Sequence, residues 1–253
     1  MTKTGIPEGK NRSPRLTWID HEVKGLNPIE RMPTGVAGLD NMIEGGFPIP
    51  SIILLAGDTG TGKTTLCTQF LFRGAESGER GLCFLTFGGP LDILQDFASS
   101  YDFVKRRFFG AEICYVELGG LLEEESEGKR SQAVIEEFET QINKSNPTRI
   151  VIEGLSKLED ALKEDYWRFL VKLSHLLRAK RVVALLAEDS LPGSLYPPRI
   201  AELADGIILL KNEEINLTRR RYIEVLKMCG TSHHLGKHAL DISARGIIIY
   251  PGL

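Results

Sequence analysis

The chain reads as an α/β domain: a mostly parallel central sheet flanked by helices, with an antiparallel extension at its C-terminal end. Three observations predict this. At Ser51 to Thr65, SIILLAGDTGTGKTT, an apolar run breaks into glycines and resumes as a helical pattern, which is strand, loop, helix. Downstream, apolar runs of strand length alternate with stretches of helical period, the signature of a helix-flanked parallel sheet. In the last quarter, strand patterns follow one another with connections too short for a crossover, so they pair antiparallel.

Residues 1–30 are polar and carry Pro7, Pro14 and Pro28, which predicts an extended arm; its Trp18 and Ile19 are candidates for docking on a neighbouring surface. The domain proper is predicted over 31–253. Thr34 to Ile43 reads as a short helix ended by Gly45 and Gly46, with Pro48 and Pro50 barring its continuation. After the glycine loop, Thr64 to Glu76 is helical and Gly81 to Phe87 is a strand. Leu91 to Tyr101 is a helix and Ile113 to Glu117 a strand. Gln132 to Lys144 is a helix approached by LLEEESEGK, an acidic run expected as a solvated loop. Arg149 to Gly154 is a buried strand. Asp160 to Ala179 is the best amphipathic helix, with Leu162, Tyr166, Phe169, Leu173 and Leu176 on its core face. Arg181 to Asp189 is apolar almost throughout, as expected of a strand covered on both faces. GIILLK, RYIEVLKM and GIIIY supply the terminal strands.

With 253 residues, 42% hydrophobic and 26% charged, one generous domain is expected, and the net charge of −3 gives no electrostatic case for a constitutive binder of nucleic acid or membrane. No apolar run approaches membrane-spanning length and the N-terminus has no hydrophobic signal core, which predicts a cytoplasmic location. Cys67, Cys83, Cys114 and Cys229 are scattered without a C-x-x-C pair, against a zinc site or disulfide scaffold.

The chemistry is carried by the loop. Gly57, Gly60, Gly62, Lys63 and Thr64 fit G-x-x-x-x-G-K-[ST], in which glycines turn backbone N–H groups onto a phosphate at the positive end of the following helix. Asp58, Thr59, Gly60, Thr61, Gly62, Lys63, Thr64 and Thr65 are the candidate phosphate-binding residues. Lys63 would sit on the β/γ-phosphates and Thr64 would give a hydroxyl ligand to Mg²⁺.

Taken with PTGVAGLD before the loop and LKMCGTSHHLGKHALDISARGIIIYP at the end, the chain from Arg31 to Pro251 resembles the KaiC-like branch of the RecA-type P-loop ATPases. The resemblance implies a homo-hexameric ring with ATP and Mg²⁺ at subunit interfaces. It places Lys227 near the γ-phosphate of a neighbour, and His233 and Ile242 near the ribose and base. It also makes Glu153 the magnesium-side carboxylate of the Walker B strand, where family members usually carry aspartate. His233, His234 and His238 could instead suggest a metal, but no acidic or cysteine partner has matching spacing.

Against the family pattern, two adjacent glutamates that serve hydrolysis are replaced by Gly88 and Gly89, and the trans arginine by Cys229, which cannot act as a guanidinium does. The autokinase serine and threonine are replaced by Ala201 and Glu202. Glu188 and Asp189 are the carboxylates left near the ligand edge, so Glu188, with Glu153, is the candidate catalytic residue. The reading is an ATP-binding, ring-forming regulatory module, at most a weak ATPase, with a protein partner the sequence does not identify. Two alternatives stand beside it. One is an ATPase acting on DNA, for which the loop SLPGSLYPPR, with one arginine and one tyrosine, is poorly equipped. The other is a structural module with a vestigial loop, which leaves Lys63 and Thr64 without a purpose.

Overall fold

The computed structural model describes residues 28–86, 91–191 and 193–252. The predicted arm before residue 28, with Trp18 and Ile19, lies outside the described residues, as do Phe87, Gly88 and Gly89. A two-stranded ribbon, β1 (Arg31–Met32) and β2 (Phe47–Pro48), brackets a one-turn helix α1 (Leu39–Met42) and leads into β3 (Ser51–Gly57). There follow α2 (Lys63–Glu76), β4 (Gly81–Leu85), α3 (Leu91–Ala98), β5 (Ile113–Glu117), α4 (Gly119–Glu124), α5 (Glu127–Ser145) and β6 (Arg149–Glu153). The chain continues through α6 (Leu158–Leu162), α7 (Tyr166–Ala179), β7 (Val183–Asp189) and α8 (Pro198–Leu203) to β8 (Gly206–Ile215), β9 (Thr218–Met228), β10 (Lys237–Ser243) and β11 (Gly246–Tyr250).

Among the described residues the main sheet has nine strands in the order β11-β10-β9-β8-β3-β7-β6-β4-β5. From β8 to β5 every pairing is parallel, whereas β8 to β11 pair antiparallel, as the short connections predict. Strand alternation divides the core into two layers. Ile53, Leu55, Val151, Leu185 and Cys83 face one side, where α1 and α2 cover them; Ile52, Leu54, Ile152, Leu186 and Phe84 face the other, beneath α5, α6 and α7. At roughly 1.5–3 kcal/mol for each fully buried large side chain, the two layers are the main favourable contribution to folding. That is why β3, β6 and β7 are apolar through their central residues.

One charge is buried among them. Arg149, at the start of β6, is 3% exposed; its Nε and Nη2 donate to the Glu79 carboxylate at 2.8 and 3.0 Å and its Nη1 donates to the Phe70 carbonyl at 3.0 Å. The guanidinium also lies over the Phe70 ring, 4.6 Å from the centroid. A second buried polar residue ties α2 to the far edge of the sheet. Gln69, 2% exposed, accepts from the Ile247 amide at 2.7 Å and donates to the Gly35 carbonyl at 3.0 Å.

Three elements differ from the sequence expectation. The helix predicted from Thr34 is helical only over α1, because residues 34–38 are held open: the Asp40 carboxylate accepts from the Thr34 amide at 2.7 Å and Ala37 bridges to Ile248 of β11. The acidic run expected as a loop is helical. Leu118 and Leu122 are buried at the start of α4, and Val134, Phe138 and Ile142 anchor α5, so packing overrides the charge. The amphipathic helix predicted from Asp160 is broken at Lys163, whose φ of +48° ends α6 and lets α7 begin anew at Tyr166. Leu162, Tyr166, Phe169 and Leu173 are buried as predicted, while Leu176 is half-buried and Leu177 takes the core position beside it. Among the described residues no helix is long and apolar enough to cross a membrane.

Candidate functional site

β3 delivers the chain to the C-terminal edge of the parallel strands, where such sheets hold their ligands. Gly57 ends the strand because nothing larger fits: a Cβ there would lie 2.2 Å from the Leu210 carbonyl of the adjacent β8. The loop then turns through Thr61, whose hydroxyl donates to the Asp58 carbonyl at 2.8 Å, and through Gly62, at φ +109°. A Cβ on Gly62 would strike the Ile242 side chain at 2.6 Å. α2 starts immediately afterwards with no side-chain cap, so its first amides stay free and its positive end faces the loop.

A cavity of about 480 Å³ opens at this point. Thr59, Gly60, Gly62, Lys63, Thr64 and Thr65 form one wall. Lys63 Nζ donates to the Gly57 and Asp58 carbonyls at 2.7 and 3.0 Å and pairs with Asp189 at 2.9 Å. The Thr64 hydroxyl donates to Glu153 at 3.4 Å, bringing the two predicted magnesium-side groups together. Burial pushes the Glu153 carboxyl above the usual range, against the pull of the Thr64 hydroxyl and the Lys63 charge. A hydroxyl and a carboxylate beside a cation and the start of a helix fit a magnesium–nucleotide complex, in which Thr64 and Glu153 would hold the ion and Lys63 would contact the phosphates.

Glu188 and Asp189 share the end of β7 but face opposite sides of the sheet, by strand alternation. Asp189 points towards α2 and meets Lys63. Glu188, 1% exposed, accepts from the amide and hydroxyl of Ser156 at 3.1 and 2.5 Å, and its other carboxyl oxygen has no partner among the described residues. Burial raises its pKa to about 7, with the Ser156 hydrogen bonds pulling the other way. The sign for stability follows. A carboxyl held above its ordinary value of 4.5 contributes stability that is complete below that value and lost as pH rises through about 7. We expect Glu188→Gln, neutral at every pH, to flatten this dependence, so that the unfolding midpoint of the variant gains on the wild type between pH 4.5 and 7.5. Parallel profiles would show that Glu188 keeps its proton balance on unfolding.

The remaining candidates separate. Ile242 lines this same cavity with Arg221 of β9. Lys227 and His233 do not. Lys227 lies opposite Ile207, at the end of β8 remote from the loop, and its Nζ donates to the Ala204 carbonyl at 2.6 Å. It is six residues along β9 from Arg221, about 20 Å at roughly 3.4 Å per residue. His233 follows in the next turn, half-buried, its Nδ1 against the His234 carbonyl at 3.3 Å. No cluster of metal-ligating side chains occurs among the described residues; His238 is buried, its Nδ1 accepting from the Gly252 amide at 3.1 Å.

A family model described as "ATPase: KaiC" matches residues 32–253. The chain belongs to the KaiC family of ATPases. It is 29% identical over 232 residues to a UPF0273 protein of Pyrococcus horikoshii, covering 87% of this chain and 94% of the relative. It is 30% identical over 255 residues to the circadian clock protein KaiC3 of a Synechocystis strain, covering 92% of this chain and 47% of the relative, so it spans about half of that protein. Among solved structures it resembles a KaiC-like protein of Pyrococcus horikoshii, with a TM-score of 0.77, 30% identity and coverage of 88% of this chain and 100% of that one. KaiC membership accounts for the loop and the terminal strands. It leaves cavity residues that sequence reading passed over. Tyr101, whose hydroxyl meets Thr65 at 2.9 Å, sits in a turn with no local signal. Ser156 and Lys157 follow a strand end, and Arg221 lies in a basic triplet that reads as solvated surface. In that triplet, alternation along β9 was the available clue.

Proposed function

We propose that this KaiC-family protein is an ATP-binding regulatory module that takes Mg–ATP in the loop cavity, assembles into a nucleotide-dependent ring, most simply a hexamer, and hydrolyses ATP weakly or not at all. The observation that carries the reading is the intact cradle: glycine turns, free α2 amides, Lys63, and Thr64 beside Glu153. Assembly is supported by Lys227 and His233. Neither lines its own loop cavity, so a nucleotide-binding role for them would lie at a neighbour's. Weak turnover is supported by two features. The buried Glu188 is already engaged by the amide and hydroxyl of Ser156, and Cys229 offers no cationic side chain for the γ-phosphate. Gly88 and Gly89 support the same reading from sequence.

A ligand shared by two subunits stabilises their contact by its differential affinity for the assembled state. Light scattering at micromolar protein should therefore show a shift from small species to a ring on adding saturating Mg–ATP, with ATP retained by the purified protein and little phosphate released. A monomer under those conditions would remove the ring. Release strongly stimulated by single-stranded DNA would favour an ATPase acting on DNA.

A further inference from the structure

We propose that Lys157 is a second phosphate-contacting lysine, acting within its own subunit on the terminal phosphate and setting the preference for a nucleoside triphosphate over a diphosphate. The proposal rests on the nucleotide reading above. Lys157 closes the single helical turn Leu155–Lys157 that follows β6, and its amide donates to the Gly154 carbonyl at 3.0 Å. The side chain folds back along the strand end. A Cβ built on Gly154 would lie 3.2 and 3.4 Å from Lys157 Cδ and Cε, and 2.8 Å from the Thr86 hydroxyl. Gly154, at φ +75°, therefore provides both the left-handed turn and the bare backbone on which the stem lies.

That path brings Lys157 into the lining of the phosphate-loop cavity, together with Glu153, Ser156 and Asp189. Of the two lysines lining the cavity, Lys63 is engaged by two carbonyls and Asp189, whereas Lys157 forms no ion pair among the described residues. A compact ammonium on a flexible stem can contact phosphate without the fixed fork of an arginine. The site is otherwise rich in carboxylate, with Glu153, Glu188 and Asp189 on one wall. A bound polyphosphate adds more negative charge there, and a cation aimed at its outermost group favours the longer chain.

The test compares Mg–ATP and Mg–ADP affinities by calorimetry for wild type, Lys157→Met and Lys157→Arg. Met keeps the stem and removes the charge. We expect Lys157→Met to weaken ATP about tenfold, one charge-assisted contact, while ADP changes less than twofold and Lys157→Arg keeps most of the preference. Gly154→Ala, checked for folding by circular dichroism, should push the stem away and lower the ATP preference with the charge still present. An ATP-to-ADP ratio unchanged in Lys157→Met overturns the assignment of Lys157 while leaving the nucleotide reading intact. Absence of binding of both nucleotides to the wild type overturns that reading and this assignment with it.

Discussion

Lys63→Ala is expected to lower the affinity for Mg–ATP by at least about 100-fold, measured by calorimetry. The side chain is 12% exposed and already satisfies three oxygens, the Gly57 and Asp58 carbonyls at 2.7 and 3.0 Å and the Asp189 carboxylate of β7 at 2.9 Å, so it is preorganised where the phosphates would lie. Phosphate oxygens would replace those partners at little conformational cost. Hydrogen bonds to charged groups contribute about 1.5–3 kcal/mol each, and a lysine spanning two phosphates loses about two of them on truncation. The partner left behind, Asp189, is 55% exposed and returns to water, so the fold should survive, with an unchanged circular dichroism spectrum as the control. Unchanged affinity in a folded Lys63→Ala would place the nucleotide elsewhere.

Glu79→Ala is expected to cost about 3 kcal/mol of folding stability, read as a lower midpoint in urea with an unchanged slope. The substitution strands the Arg149 guanidinium, 3% exposed, which among the described residues keeps the Phe70 carbonyl and ring. Glu79 keeps 28% of its side chain in water, which holds the effect to the low end of the range for breaking buried pairs. The pH dependence has a definite sign. Burial alone would raise the Glu79 carboxyl, but the hydrogen bonds and charge of Arg149, with the Thr148 hydroxyl, hold it below its ordinary 4.5. A depressed carboxyl contributes stability that is full above that value and lost as pH falls through the folded value. The wild type should thus lose its advantage over Glu79→Ala in acid. A constant difference down to pH 2 would mean that the pair contributes nothing electrostatic.

Much of the fold was legible because burial on both faces writes an uninterrupted apolar run. β3, β4, β6 and β7 lie where those runs are, and the phosphate loop stands between β3 and α2 where its motif requires. What was not legible depends on partners distant in sequence. The acidic approach to α5 is helical because Leu118 and Leu122 reach a core assembled from strands on either side of it in sequence. The break at Lys163 is a backbone turn in a lysine, a residue type that gives no warning of positive φ. In the site, the phosphate-loop wall was readable from its motif. The remaining lining was read only in part: Glu153 and Glu188 were named, but Ser156 and Lys157 come from the turn after β6 and Arg221 from β9, and only the sheet register brings these two segments together. The same register turned Glu188 towards Ser156 and gave Lys63 to Asp189, one residue later.

The bonds made by Gln69 and Ala37 bear on how copies of this protein can meet. An outermost strand with bare amides is a template for strand addition, by which sheets of separate molecules fuse into fibres. On β11 the outward amides of Ile247 and Ile249 are taken by the Gln69 side chain and the Ala37 carbonyl, at 2.7 and 2.8 Å. That border is closed to hydrogen-bonded growth from within the molecule. Copies meeting there must recognise one another through side chains, whose contacts can be made and released without tearing the sheet.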